Sequence, residues 1–145
     1  MTILLVRHAS AGERKKWKGE DGLRPLDARG RRQADGLADL LRRLGPSRVL
    51  SSSSLRCRQT VEPLARLLDV AVEERSELAE GASADEVHSL ASMLADEVAV
   101  LCTHGDVVAE VLGEESEKAS TWVLRLDANV LAPIDYLPPP VWDDG

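Results

Sequence analysis

Apolar positions along the chain fall into short blocks separated by polar, turn-forming stretches, and the blocks carry two different periods. Thr2 to Val6 is a continuous apolar run, which predicts a buried strand. A polar, basic stretch from Arg7 to about Asp27 follows, with Gly12, Gly19, Gly22 and Pro25, and predicts a long loop of the kind that often carries function. From Arg29 to Leu44 the period becomes helical: Ala34, Leu37, Leu41 and Leu44 fall on one face, and Gly45-Pro46 stops the helix. Arg48 to Ser51 predicts a second strand, with Ser51 to Ser54 as its exit. A second helix reaches about Leu68; Pro63 predicts that it starts close to Thr60 or is kinked there.

Val70 to Glu73 predicts a third strand. Ser83-Ala-Asp-Glu86 has the spacing of a capping box ahead of Val87, Leu90 and Leu94, hence a third helix. Val98 to Cys102 is apolar without alternation, as expected of a central strand covered on both faces. His104 to Leu112 predicts a short helix, and Thr121 to Leu126 and Val130 to Ile134 two closing strands. Leu137-Pro138-Pro139-Pro140 ends the fold, and the tail after about residue 137 is expected to be loosely held. Strands alternating with helices predict an α/β three-layer α/β/α sandwich with a mostly parallel sheet, and the closing strand pair predicts an antiparallel edge. No internal repeat or low-complexity linker interrupts residues 1–145, so one domain is expected.

Composition narrows the chemistry. Aromatics are scarce, with three Trp, one Tyr and no Phe among 145 residues, so the core must be built from Leu, Val and Ala. The apolar run at the start is too short for a signal peptide or a membrane span, which predicts a cytoplasmic protein with no membrane partner. Cys57 and Cys102 have no metal-site spacing and are expected to be reduced thiols. The net charge is −7 but unevenly placed. Residues 1–66 hold 15 Lys/Arg against 7 Asp/Glu, and residues 67–145 hold 3 against 18. An acidic protein with a basic first half argues against nucleic acid as partner and suits a small phosphorylated ligand.

Ligands of such sheets bind outside the carboxyl ends of the strands. Three features fall there: Arg7-His8 after the first strand, the stretch Ser51 to Thr60 after the second, and Thr103-His104-Gly105 after the buried central strand. Two histidines and at least two arginines therefore converge on one sheet edge. A neutral imidazole is a good nucleophile toward phosphorus, and guanidinium groups fork onto phosphate oxygens. The helix start after Ser54 is a further source of backbone donors for an anion. Three histidines without clustered carboxylates give no reason to expect a catalytic metal or other cofactor.

These residues carry a resemblance. Leu5-Val6-Arg7-His8-Ala9 resembles the Arg-His-Gly signature of the histidine phosphatase superfamily, the phosphoglycerate-mutase-like clan. Leu23-Arg24-Pro25-Leu26-Asp27 with Gly30 and Gln33-Ala34 is similar to a segment of its short SixA-type phosphohistidine phosphatases. Ser51-Ser52 through Leu55-Arg56-Cys57-Arg58-Gln59-Thr60 and Thr103-His104-Gly105 resemble two further motifs of the family. Ala9 departs from the signature glycine, and Ser53 stands where the family has proline.

The resemblance implies a hydrolase in which His8 becomes phosphorylated and Arg7, Arg56 and His104 hold the phosphoryl oxygens. Arg24 would join them in the pocket. Glu80 matches a position that some members use as proton donor and SixA-type members lack. A protein phosphohistidine has a good leaving group and needs little acid catalysis, whereas an alkyl phosphomonoester needs a donor, so Glu80 separates these two substrate classes. A phosphate-binding regulatory module without turnover is the alternative from another class. His88 and Arg58 are not expected in the site, and Trp17 is expected to serve packing rather than the pocket mouth.

Overall fold

The computed structural model describes residues 2–94 and 96–142. Six strands, β1 (Thr2–Arg7), β2 (Arg48–Ser51), β3 (Val72–Glu74), β4 (Val98–Thr103), β5 (Thr121–Asp127) and β6 (Val130–Leu137), form one sheet in the order β3-β2-β4-β1-β5-β6. The four strands β3, β2, β4 and β1 are parallel; β5 runs antiparallel to β1, and β6 antiparallel to β5. The antiparallel edge is thus a hairpin with β6 outermost. Helices α1 (Ala28–Leu41) and α2 (Leu55–Leu68) cover one face, and α3 (Ala84–Ser92) and α4 (Gly105–Leu112) the other.

The unalternated apolar runs follow from this layering. Leu4 and Val6 of β1 pack in the core under α1 and α2, with Leu37, Leu41, Val61 and Leu64. Ile3 and Leu5 point the opposite way, into the core under α3 and α4, with Val87, Leu90, Val107 and Val108. Each strand residue is buried by one helix layer or the other, so no position on β1 between Ile3 and Val6 can be polar.

Several boundaries differ from the pattern-based expectation, each for a local reason. The α-helix ends at Leu41, and Arg42–Leu44 tightens into a 3-10 turn before Gly45 stops it at φ +69°. Helix α2 starts at Leu55 and runs through Pro63 rather than beginning at Thr60. Burial of Val61, Leu64 and Ala65 against the sheet outweighs the hydrogen bond that Pro63 withholds. Strand β6 extends to Leu137 with Pro133 within it, which an edge strand tolerates. The Ser83–Glu86 capping box forms as expected, with both reciprocal bonds.

Beyond β6 the chain returns along α1. Pro140 lies so close to Gly36 that an added Cβ there would stand 2.7 Å from it, and the Arg32 guanidinium sits 4.5 Å over the Trp142 ring. Of the tail expected to be loosely held, residues 143–145 lie outside the described residues. Among the described residues no helix is long and apolar enough to cross a membrane.

Candidate active site

Strand register brings the three sequence features together. Arg7 pairs with Thr103 and Ser51 with Cys102, so β1, β4 and β2 end side by side. The next residues, His8, His104 and Ser52, leave the sheet at one edge. The His8 and His104 rings lie edge to face with centroids 5.5 Å apart.

His8 is 6% exposed, and its Nδ1 lies 2.8 Å from the Ala9 carbonyl oxygen. Nδ1–H therefore donates there, and the lone pair is left on Nε2. Burial pushes the imidazole down to about 3; the Ala9 carbonyl opposes this, and His104, Arg56 and Arg7 reinforce it. His8 is neutral at physiological pH. Ala9 itself is fully buried and donates its N–H to Thr60 Oγ1 at 3.0 Å, so the methyl that replaces a glycine hydrogen is accommodated.

The cations are positioned by different elements. Arg7 donates from one terminal nitrogen to the Ser116 carbonyl, and its buried Nε has no partner. A Cβ on Gly105 would stand 2.7 Å from the Arg7 Cζ and Nε, so only glycine lets this guanidinium lie across the start of α4. Arg56 is fully buried on the first turn of α2. It donates to the Asp21 carbonyl at 2.8 Å, to Asp21 Oδ2 at 2.9 Å and to Glu80 Oε2 at 3.4 Å. The same nitrogen lies 3.4 Å from His104 Nδ1, and Arg56 Nε has no partner. His104 Nε2 is 2.9 Å from Ser52 Oγ and 3.6 Å from the Cys57 thiol. Cys57 and Cys102 are both free and buried.

Arg7, His8, Arg24, Glu80, His104 and Lys118 line one cavity of about 510 Å3. Arg56 does not line it: the guanidinium stands behind the wall, against His104 and Glu80. Arg24 is 6% exposed and donates to the Ala11 carbonyl at 2.6 Å and to Asp21 Oδ1 at 3.2 Å. Glu80 accepts from Arg14 at 2.7 Å on one oxygen and from Arg56 at 3.4 Å on the other. Ser54, at the start of α2, is not among the cavity-lining residues.

Arg58 turns away, donating to the Ser53 carbonyl at 3.0 Å. His88 is half-buried on α3 and lines no part of the cavity. Trp17 donates to the Glu20 carbonyl at 2.8 Å and borders a neighbouring depression, which shares Gly12 and Arg24 with the cavity.

The residue that pattern reading missed is Asp21. It gathers Arg14, Arg24 and Arg56 around one carboxylate, at 3.3, 3.2 and 2.9 Å. Burial pushes this carboxyl up, but Arg56, Arg24 and Arg14 hold it below the usual carboxylate range. The available signal was an acid three positions before Arg24 in a basic loop. Ser52 and Lys118 were also not singled out.

Comparison with known proteins places the chain among phosphatases. Residues 3–90 match the model of the histidine phosphatase superfamily, branch 1. The chain is 40% identical over 157 aligned residues to the 8-oxo-(d)GTP phosphatase of Mycolicibacterium smegmatis, covering 96% of this chain. The match takes in 48% of that relative, so the chain spans about half its length. Among solved structures, the protein histidine phosphatase SixA complexed with tungstate superposes with a TM-score of 0.81 at 23% identity, over 96% of this chain and 97% of that one. The alpha-ribazole phosphatase of Shigella flexneri superposes with a TM-score of 0.75 at 14% identity, over the whole of both chains.

Proposed function

Because the chain belongs to the histidine phosphatase superfamily, we propose that it is a phosphatase working through a phosphohistidine on His8 and acting on a small phosphorylated molecule. The observation that carries this reading is the state of His8: a neutral imidazole, Nδ1 committed to the Ala9 carbonyl, beside His104 and the Arg7 and Arg56 guanidiniums. Its Nε2 lone pair attacks phosphorus, the bond to the leaving oxygen breaks, and that oxygen takes the electron pair. Water then attacks the phosphorus of the phosphohistidine, releasing inorganic phosphate and restoring His8. Arg7, Arg24 and His104 line the cavity beside the phosphoryl oxygens, and Arg56 adds its positive charge from behind His104, so the reaction draws on guanidinium groups rather than a metal or other cofactor.

Two features support a small molecule over a protein phosphohistidine. The cavity volume falls within the roughly 300 to 1,000 Å3 typical of small-molecule sites. The relative with 40% identity is named for a nucleotide substrate. The test is hydrolysis of a chromogenic aryl phosphate, with acid-labile phosphate trapped on the chain by rapid quenching. Absence of both turnover and label overturns the reading.

Glu80 has a different role in this scheme from that of a free proton donor. Both its oxygens accept from guanidiniums, so it positions Arg14 and Arg56. Glu80→Gln is then expected to slow aryl and alkyl phosphate hydrolysis alike, by less than about tenfold, because it loses charge but keeps one acceptor oxygen. A loss of about 10²- to 10⁴-fold confined to the alkyl substrate would instead make Glu80 the general acid. Measuring kcat for one substrate of each kind decides between them.

A further inference from the structure

Two cations on one wall of the cavity lack a carboxylate partner among the described residues. Arg14 and Arg24 are each paired with Asp21, and Arg14 also with Glu80. Among the described residues the Arg7 guanidinium makes only its bond to the Ser116 carbonyl, and the Lys118 ammonium makes no hydrogen bond or ion pair. Asp27 is the acid whose charge acts on Lys118, although Glu115 also lines the cavity; the Asp27 carboxylate already accepts from Ser10 Oγ at 2.7 Å, Gly12 N at 3.0 Å and Gly30 N at 2.7 Å. Burial holds the Lys118 ammonium below the ordinary lysine range, helped by Arg7 and Arg24 and opposed by Asp27. Crowded cations of this kind are relieved by an anion.

The backbone around Lys118 is built into the site. Ala119 N–H donates to the carbonyls of Arg7 at 3.0 Å and His8 at 3.2 Å, and Arg7 N–H donates to Ser120 at 3.1 Å. Together with the Arg7–Ser116 bond these contacts pin residues 116–120 onto the end of β1, beside the nucleophile. Ala119 is fully buried with φ +65°, a left-handed conformation that costs a side-chain-bearing residue free energy. Strain of that kind persists only where the surroundings enforce it, and here it fixes the residue that follows Lys118.

The cavity is far larger than one phosphoryl group requires, and Lys118 lines it together with His8. We propose that Lys118 forms a second anion subsite and that the substrate class is a small molecule with two linked phosphoryl groups. The terminal group is transferred to His8, and the inner one is held by Lys118. This rests on the phosphatase reading above and deepens it. His8 Nε2 attacks the terminal phosphorus, the bond from that phosphorus to the bridging oxygen breaks, and the electron pair leaves on the inner phosphate. That leaving anion is weakly basic, so no proton donor is required, in keeping with a Glu80 engaged by two guanidiniums. Water then hydrolyses the phosphohistidine.

The test is calorimetric binding of methylenediphosphonate and methylphosphonate to the wild-type chain, Lys118→Ala and Lys118→Arg, with turnover of a nucleoside diphosphate and an aryl phosphate in parallel. Lys118 is half-exposed and unbonded, so its removal should leave the melting temperature unchanged. Wild type is expected to bind the diphosphonate at least about tenfold more tightly than the monophosphonate. Lys118→Ala should weaken the diphosphonate about ten- to hundredfold, the worth of one charge-assisted contact, and the monophosphonate less than about threefold. Lys118→Arg should restore most of the difference. Equal affinity of wild type for the two phosphonates, or equal loss for both in Lys118→Ala, overturns the subsite. Lys118-dependent diphosphonate binding without turnover of any substrate would uphold the subsite and overturn the phosphatase reading instead.

Discussion

His8→Ala is expected to abolish both turnover and covalent labelling, a loss of about 10⁴-fold or more. No neighbour can take over. His104 is the nearest imidazole, but its Nε2 faces Ser52 and Cys57 and its Nδ1 faces Arg56, so neither nitrogen is placed as the His8 Nε2 lone pair is. The neutrality of His8 gives the prediction a second edge. Its imidazole is pushed down to about 3, so it stays deprotonated where an ordinary histidine, with a value of about 6.5, takes up a proton. The rate of labelling should therefore not fall between pH 7 and pH 5 through titration of this residue. Rapid-quench labelling of wild type and His8→Ala across that range is the measurement, with thermal unfolding to show that the variant folds. Label on His8→Ala would overturn the assignment.

The sheet and the convergence of His8 and His104 at its edge were legible because their signals are local. Ile3–Val6 and Val98–Cys102 read as strands covered on both faces, and the helices on each side of the sheet are what made that pattern necessary. Arg7-His8 and Thr103-His104 stood out because parallel strands in register deliver the residues that follow them to one edge. Of the two readings that Pro63 left open, a start near Thr60 failed because propensity was set against tertiary packing that no window of sequence displays: buried residues run from Arg56 to Ala65 along α2. The placement of Arg56 was half legible. Its spacing put it at the start of α2, but its burial behind the cavity depends on residues 12–23 folding back so that Asp21 meets it. Lys118 gave no signal at all. It sits among Glu114, Glu115 and Glu117, and only the left-handed Ala119 and its bonds to Arg7 and His8 bring it to the cavity.

Arg56 is the residue whose loss should damage stability and activity together. It is a fully buried cation that makes three contacts with Asp21 and Glu80, and Thr60 Oγ1 donates to the Arg56 carbonyl and accepts from Ala9 N–H, next to His8. Removing one partner of a wholly buried pair costs about 3 to 5 kcal/mol. Asp21 and Glu80 are over a third exposed, so water recovers part of that here, and about 1 to 3 kcal/mol is expected for Arg56→Ala. The activity loss should be larger than unfolding explains, about 10² to 10³-fold in kcat, because the guanidinium supports His104 and the charge on the transferring phosphoryl group. Arg56→Lys separates the two effects. A lysine keeps the charge but offers no planar fork, so it cannot hold the Asp21 carbonyl, the Asp21 carboxylate and Glu80 at once. It should recover most of the stability and little of the activity. The measurements are urea unfolding and kcat on an aryl phosphate for both variants at a temperature where each is folded. Full activity in Arg56→Lys would show that a positive charge behind His104 suffices, and the forked geometry read from the structure would lose its role in catalysis.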